Sequence, residues 1–457
     1  MENNANSKIG VLTCTTLLIG GMIGSAIFSL SGLTMYTAGP AAVLSWIIGG
    51  IIMLIYGLLM AELSSVFPKS GGVYVFPSRA YGGKKGRLLG WLSCWGSILT
   101  NFVSVAFAAI YVGTYLSVSF EWAANLQIPL ALISILFCVI LNCLSFSTAG
   151  KINTVLVAFL VITIVIYVGT ALFGGSYDAS LLTPFFSQGA GGSFGFLSAV
   201  PTAIIGFSSI MAVAFIASEV KDAEKNVPKS MLIAITIVAV IYALIILATL
   251  GLITAQFLAD NPGMQYIPLF AACFTKLTAV PWLSKVVSIA AVLALLTTML
   301  VCVTMNSRAL QAASDDGLLP GGLGKMNKAG VPAAAAVVTG VIGGIIACFP
   351  DLISIIVDFS VIFNVITIVL TIAAVIKARR SAHYPENAFR APGGKVTPIL
   401  AIVLLVLCNS VSIITGTAML WIYTIGFFAV GLVIFLIAEK NRKPEEDKCI
   451  DDVKSLA

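Results

Sequence analysis

The sequence predicts an all-α membrane protein built from twelve transmembrane helices. Of its 457 residues, 59% are hydrophobic and only 10% are charged, whereas soluble domains contain roughly 25% charged residues. The hydrophobic residues form long stretches that suit a hydrocarbon core about 30 Å thick. The basic residues lie mainly between those stretches. This composition excludes an ordinary soluble fold and a disordered chain.

Twelve apolar stretches, each bounded by charged residues, glycine or proline, define the predicted spans. Their approximate limits are 11–33, 40–63, 88–117, 127–147, 152–174, 194–218, 231–254, 283–307, 333–349, 352–376, 397–416 and 418–438. These spans leave little chain for a domain outside the membrane. We therefore expect one transmembrane domain over 1–438 and a tail over 439–457.

The distribution of charge predicts the orientation. If the N-terminus is cytoplasmic, 23 of the 25 lysines and arginines lie on the cytoplasmic side, and only Lys276 and Lys285 lie outside. Cytoplasmic loops of membrane proteins carry such an excess. Both termini are therefore predicted to be cytoplasmic, in a multi-pass protein of the cell membrane. The net charge of +6 follows from this orientation, so we expect the lipid bilayer, and no nucleic acid, as a partner.

Two predicted spans have glycine-rich interruptions near their middles. These are Gly20-Gly21-Met22-Ile23-Gly24-Ser25 in span 1 and Gly206-Phe207-Ser208-Ser209 in span 6. The breaks are five spans apart, which predicts two five-helix repeats of inverted topology, at about 11–174 and 194–376, with extra helices at 397–438. In such repeats, discontinuous helices form a substrate site near the membrane midplane. The alternative is that the span 1 glycines form a helix-packing face.

A broken helix offers main-chain groups to a ligand. Its freed N–H groups begin a half-helix whose positive end suits a carboxylate. Its freed carbonyls suit an ammonium group. A pair of breaks can therefore bind the α-carboxylate and the α-amine of an amino acid.

Polar side chains within the spans are further candidates. Asp358 lies in span 10, where a carboxylate is costly and marks a functional site by default. It could pair with a cationic substrate or carry a proton, or it could be hydrated near the end of the span. Thr297 and Thr298 could donate to main-chain carbonyls or offer oxygens to a coupling sodium ion.

Residues at the ends of spans are expected to have structural roles. Glu62 and Glu219 are predicted to be solvated or paired with loops, and Asp315-Asp316 to cap a helix or pair with Arg308. No CxxC motif occurs among the nine cysteines, and the chain has one histidine. We therefore expect neither a metal centre nor a cofactor.

Five motifs, in this order, resemble those of the amino acid-polyamine-organocation (APC) transporter superfamily. They are Gly21-Met22-Ile23-Gly24-Ser25-Ala26-Ile27-Phe28, Glu62-Leu63-Ser64-Ser65-Val66-Phe67-Pro68, Glu219-Val220-Lys221-Asp222, Asp315-Asp316-Gly317-Leu318-Leu319-Pro320 and Phe389-Arg390-Ala391-Pro392-Gly393-Gly394. Within the superfamily the chain looks like the basic amino acid/polyamine antiporter branch. The resemblance implies five-plus-five inverted repeats with helices 1 and 6 broken.

The resemblance also implies roles for individual residues. The substrate carboxylate would bind Ile23, Gly24, Ser25 and Ala26, and the amine side and gate would be lined by Ile205, Gly206, Phe207, Ser208 and Ser209. Cys302 takes the place of an aromatic residue that covers the substrate in the arginine/agmatine exchanger, and Thr298 falls where sodium-coupled relatives bind their cation. Asp358 falls beside a polar pocket residue. This sequence departs from the pattern at Ala26, which replaces a glycine, and near Leu160, where some relatives have a lysine.

These observations predict a secondary active amino acid transporter that works by alternating access, without covalent chemistry. A cationic amino acid or related amine is the favoured substrate. The alternative is a neutral amino acid permease coupled to sodium or protons, and a membrane nutrient sensor is a remote one. Both a monomer and a homodimer are compatible with the sequence.

Overall fold

The structure is a computed structural model. It describes residues 9–144, 146–414 and 418–440, without the side chains of Ser25, 146–149, Ser218, 352–361, 411–414, Ala418 and Met419. Within this part of the chain every regular element is a helix, apart from an isolated bridge between Ile9 and Val220. The all-α class is therefore as the sequence predicts.

Seven α-helices occur in the described residues of the first half of the chain. They are α1 (Val11–Ser25), α2 (Ser31–Ala38), α3 (Ala42–Val66), α4 (Val75–Tyr81), α5 (Gly83–Ser119), α6 (Gln127–Leu144) and α7 (Phe146–Phe173). Predicted span 1 is divided between α1, a π-helical turn at Ala26–Leu30 and α2. Helix α5 begins before the predicted limit at 88, because hydropathy marks the part within the membrane and not the end of the helix.

The described part of the second half contains eleven α-helices, several of them short. They are α8 (Gly195–Ser198), α9 (Val200–Gly206), α10 (Ala212–Phe215), α11 (Ala223–Leu250), α12 (Ala255–Asp260), α13 (Pro268–Lys276), α14 (Trp282–Asp315), α15 (Ala333–Ala347), α16 (Ile353–Ala378), α17 (Val396–Ile414) and α18 (Ala418–Lys440). Predicted span 6 consists of α8, α9, a 3₁₀ turn at Ser208–Met211 and α10.

Eight described segments are long and apolar enough to cross a membrane, and three shorter apolar helices accompany them. The longest of the eight, Val11–Val66, includes α1, α2 and α3. This number of apolar helices is typical of a multi-pass membrane protein.

Helix α1 lies among other helices, in contact with α14, α11 and α7. Helix α14 also packs along α5, and α5 contacts α16. The interruption in α1 is therefore enclosed by protein, as non-helical backbone at membrane depth must be.

Helix α18 is fastened to α5 by polar contacts. The indole N–H groups of Trp91 and Trp95 donate to the carbonyls of Gly431 and Phe427, at 2.7 and 2.9 Å. Arg87 forms an ion pair with Glu439 at 2.5 Å. Helix α18 extends to Lys440, so it includes the first two residues of the predicted tail over 439–457.

Candidate functional site

The backbone of span 1 departs from helical geometry at Gly24, which has φ −37° and ψ −106°. A methyl group on Gly24 would overlap Thr298 Oγ1 and lie 2.6 Å from the carbonyl oxygen of Ala294. Only glycine fits, because α14 approaches the backbone so closely. The neighbouring side chains of Ile23 and Ala26 are buried. The Ser25 side chain lies outside the described part of the structure.

The π-helical turn that follows is stabilised by side chains. The Tyr115 hydroxyl donates to the carbonyl of Phe28 at 2.5 Å, and the Ser31 hydroxyl donates to the carbonyl of Ile27 at 2.5 Å. Such turns disturb the regular helical hydrogen bonds and are frequent at functional sites. Main-chain groups after Gly24 are therefore held in a defined, non-α-helical geometry.

Span 6 is interrupted directly after Gly206, the last residue of α9. Phe207 has φ −102° and ψ 1°, and the 3₁₀ turn follows it. The Phe207 ring is fully buried and Ser209 is 7% exposed, whereas Ile205 and Ser208 are half-buried. The departure from helical geometry thus falls on the residues that the sequence singled out.

The two interruptions contact each other. A methyl group on Gly206 would lie 3.1 Å from Ala26 Cβ and 2.6 Å from the ring of Trp46. One on Gly21 would lie 2.8 Å from Ser209 Cβ. The small residues in both breaks bring the main chains of two interrupted helices together.

Tyr242, which is not among the candidates predicted from the sequence, lies between the breaks. The hydroxyl of Tyr242, in α11, lies within hydrogen-bonding distance of the main-chain carbonyls of Met22 and Gly206, the second at 3.1 Å, and its one proton can be donated to either. Its ring lies against Trp46 and Phe207, with centroid distances of 4.5 and 5.0 Å. The sequence did offer one sign of a special role, because Tyr242 is the one aromatic residue in the apolar stretch that forms predicted span 7.

Thr297 and Thr298 lie against α1 just before its break. The Thr297 hydroxyl lies within hydrogen-bonding distance of the carbonyls of Gly20, at 3.0 Å, and Ala294, at 2.7 Å. The Thr298 hydroxyl donates to the carbonyl of Gly21 at 3.3 Å. Of the two roles predicted for these threonines, donation to main-chain carbonyls accounts for these hydrogen bonds. The oxygens would also suit a hard cation, so the cation site stays a prediction.

The remaining candidates lie on α14 and α16. Cys302 is buried one turn beyond Thr298, within hydrogen-bonding reach of Ser104 in α5. Asp358 lies in α16, but its side chain falls outside the described residues. Among described residues, no group of three or more His, Cys, Asp or Glu side chains could hold a metal ion.

An ion pair between a buried arginine and a partly exposed glutamate lies at the end of the molecule that carries Ile9. Arg308 is 2% exposed and contacts Glu219 at 2.6 Å. Burial raises the pKa of the Glu219 carboxyl, although Arg308 opposes that shift. Beside it, the Ile9 amide donates to the Glu219 carbonyl at 3.0 Å and the Lys221 amide donates to the Ile9 carbonyl at 2.9 Å. The start of α1 is therefore tied to the segment after α10.

This pairing corrects the expectation for Arg308. Asp316 instead accepts a hydrogen bond from Tyr74 at 2.7 Å and lies 3.9 Å from Arg79. Arg308 precedes Asp316 by two helical turns, about 12 Å along the axis, which is too far for a direct pair.

Glu62 takes the second of its two expected roles, a contact with a loop. Its carboxylate is 1% exposed and contacts Arg379 at 2.6 Å. It also accepts from the Tyr384 hydroxyl at 3.0 Å and the Ala391 amide at 2.9 Å. The segment before α17 is thereby fixed to the end of α3.

A family model described as amino acid permease matches residues 9–445. The chain belongs to the amino acid permease family. This match covers nearly the whole chain and agrees with the resemblance to the APC superfamily. Members of this family are membrane transporters, and the apolar helices of this chain agree with that function.

Individual relatives in the family have different substrates in their names. The chain is 25% identical to the branched-chain amino acid permease BcaP of Bacillus subtilis, over 97% of this chain and 95% of the relative. It is 28% identical to the serine/threonine exchanger SteT of the same species, over 56% and 57% of the two chains. It is 28% identical to the chloroplastic cationic amino acid transporter 7 of Arabidopsis thaliana, over 73% and 59%.

Proposed function

We propose that this permease is a secondary active amino acid transporter that works by alternating access. The contact between the two helix interruptions, at Ala26 and Gly206, carries the proposal. Each interruption supplies main-chain groups, and together they offer a donor side and an acceptor side to one small zwitterion.

The substrate carboxylate would bind the main-chain N–H groups around Ile23, Gly24, Ser25 and Ala26. These groups lead into the π-helical turn and α2, and a helix start favours an anion. The ammonium group would bind carbonyls of the second interruption, which is formed by Ile205, Gly206, Phe207, Ser208 and Ser209. Cys302 would contact the substrate from α14, and Asp358 would face a second amine.

The proposed membrane arrangement has twelve spans. The stretch Val11–Val66 would supply two of them, separated at the 3₁₀ turn Gly39–Ala41. The seven other long segments, of which the last lies in α18, would supply one span each. The three shorter apolar helices would supply the remaining three, and they are Ala333–Ala347, the helix ending at Ala378 and α17. The basic loops favour cytoplasmic termini in the cell membrane. Two inverted repeats over about 11–174 and 194–376 complete this proposal.

Two substrate classes have support. Asp358 favours a cationic amino acid or amine, because a carboxylate within the membrane is costly unless it pairs with a positive charge. The names of the branched-chain and serine/threonine relatives favour a neutral amino acid. Coupling to sodium at Thr297 and Thr298, or to protons, would accompany the neutral alternative.

Transport by purified protein in liposomes tests the proposal. Labelled L-arginine, putrescine, L-leucine and L-serine would be offered to liposomes preloaded with each compound, with and without sodium and a pH gradient. We expect one class to be exchanged or accumulated above protein-free liposomes. If none of the amino acids or amines moves, the proposed function is wrong. A sodium requirement that Thr298→Val removes would support the cation site.

A further inference from the structure

Helix α3 packs closely against α9 and against the 3₁₀ turn of span 6. A methyl group on Gly49 would lie 3.1 Å from Ala203 Cβ in α9, and one on Gly57 would lie 3.1 Å from Ile210 Cγ1 in the 3₁₀ turn. Small residues at a helix contact let the backbones approach without intervening side chains. A movement of the second interruption should therefore carry α3 with it.

Helix α16 is fastened to a different part of the molecule. It packs along α5, and the Thr367 hydroxyl donates to the Ser93 carbonyl of α5 at 3.0 Å. A methyl group on Gly96 of α5 would lie 3.2 Å from the Phe363 carbonyl oxygen of α16. Alternating access moves one group of helices against another. The contact between α3 and α16 therefore lies at a boundary that such a movement can open.

Tyr56 is the residue of α3 that contacts both neighbours. Its hydroxyl lies 3.0 Å from Met211 Sδ, at the end of the 3₁₀ turn, and 3.0 Å from Thr371 Oγ1, in α16. Tyr56 and Thr371 are fully buried, and Met211 is nearly so. A hydroxyl group that lost its acceptor here would find no water in its place, and an unpaired buried donor is costly.

The two acceptors differ in strength and in the helix group that carries them. The Thr371 oxygen is the better acceptor, because a thioether sulfur accepts only weakly. The threonine's own proton has acceptors within α16, the carbonyls of Thr367 at 3.0 Å and Ile368 at 2.8 Å, so it does not depend on Tyr56. Met211 belongs to the group that moves with α3, and its flexible side chain can stay beside the tyrosine.

We propose that Tyr56 is a positioning residue whose hydroxyl changes acceptor during the transport cycle. It donates to Thr371 when α3 lies against α16, and to Met211 when the two helices separate. This inference rests on the proposed transport function. Because every hydroxyl proton keeps an acceptor in both arrangements, neither arrangement is penalised by an unpaired buried donor.

The test measures the turnover of exchange in liposomes, with the compound among L-arginine, putrescine, L-leucine and L-serine that the wild type moves fastest. Met211→Leu removes the sulfur with little change in volume and leaves Tyr56 unpaired when α16 is apart. We expect turnover to fall about tenfold, which corresponds to about 1.4 kcal/mol. Adding Tyr56→Phe removes the unpaired donor, so the double variant should recover most of the lost turnover. Met35→Leu is the matched control, since Met35 is a fully buried methionine in a different helix, α2.

A second variant separates this proposal from a purely structural role. Thr371→Val removes the oxygen but leaves Met211 as an acceptor in both arrangements, so turnover should stay near that of the wild type. A purely structural bridge between α3 and α16 would be broken by the same change. Melting temperatures in detergent show whether each variant folds, and Thr371→Val decides alone if Met211→Leu does not.

Three results would overturn the inference and leave the transport function standing. In the first, a folded Met211→Leu loses no more turnover than Met35→Leu does. In the second, Tyr56→Phe fails to restore a folded Met211→Leu. In the third, Thr371→Val lowers turnover about tenfold, the loss expected for an unpaired donor. If the wild type moves none of the four compounds, the proposed function fails and the inference fails with it.

Discussion

Thr298 occupies the space that a side chain on Gly24 would need. A methyl group there would overlap the threonine hydroxyl and lie 2.6 Å from the Ala294 carbonyl oxygen. The break in α1 and the middle of α14 therefore fit each other with no spare volume. This close fit positions the main chain of the proposed carboxylate site.

Gly24→Ala should consequently damage both stability and transport. Forcing a methyl group into a packed site costs about 1–3 kcal/mol, and any shift of α1 would move the proposed site. We expect a lower melting temperature in detergent and loss of uptake. Gly426→Ala is the matched control, because a methyl group there meets no atom within 4 Å. Equal melting temperatures for the two variants would contradict the close fit.

Arg308→Met should destabilise the protein strongly. It leaves the partly buried Glu219 carboxylate without its partner, and breaking a fully buried pair costs about 3–5 kcal/mol. Because Glu219 is 24% exposed, we expect the lower part of that range. The double variant Glu219→Gln with Arg308→Met should recover most of the loss. A double-mutant cycle on melting temperatures measures the coupling, and additive effects would contradict the pair.

The raised pKa of Glu219 predicts a pH effect on stability. Its folded-state pKa lies above the ordinary value of 4.5, so the folded chain holds this proton more tightly than the unfolded chain. The contribution to stability is full below about pH 4.5 and is lost as pH rises through the folded-state pKa. We expect the melting temperature of the wild type to fall more across this window than that of Glu219→Gln. If the melting temperatures of the two proteins change equally with pH, the raised pKa of Glu219 is contradicted.

Asp358→Asn should weaken cationic substrates selectively. If the carboxylate faces a second amine, its loss should raise KM for L-arginine or putrescine about tenfold, or about 1.4 kcal/mol. L-leucine and L-serine should be little affected. Asp351→Asn provides the control, since Asp351 is an exposed carboxylate that precedes the same helix. An equal effect on neutral and cationic compounds would point to a proton-carrying or structural role.

Much of the architecture was predictable from local features of the sequence. Long apolar stretches mark membrane helices because lipid accepts no unpaired backbone groups. The clusters around Gly24 and Gly206 marked the interruptions because small residues allow close approach and non-helical geometry. The short helices within the loops, such as α4 and α13, were not predicted. Each is too short for a helical pattern of apolar residues to be recognised in the sequence.

Partners across the fold could not be read from spacing along the chain. The Asp315-Asp316 pair was expected either to cap a helix or to pair with Arg308, yet Arg308 pairs with Glu219, which is 89 positions away. Tyr242 likewise gave no local sign of its contacts with Met22 and Gly206. The sequence by itself determined the membrane class, the family and the two broken helices, because composition and short motifs encode them. Only the tertiary structure decided which carbonyls, hydroxyls and charges meet, because hydrogen bonds depend on distances between helices that are remote in the chain.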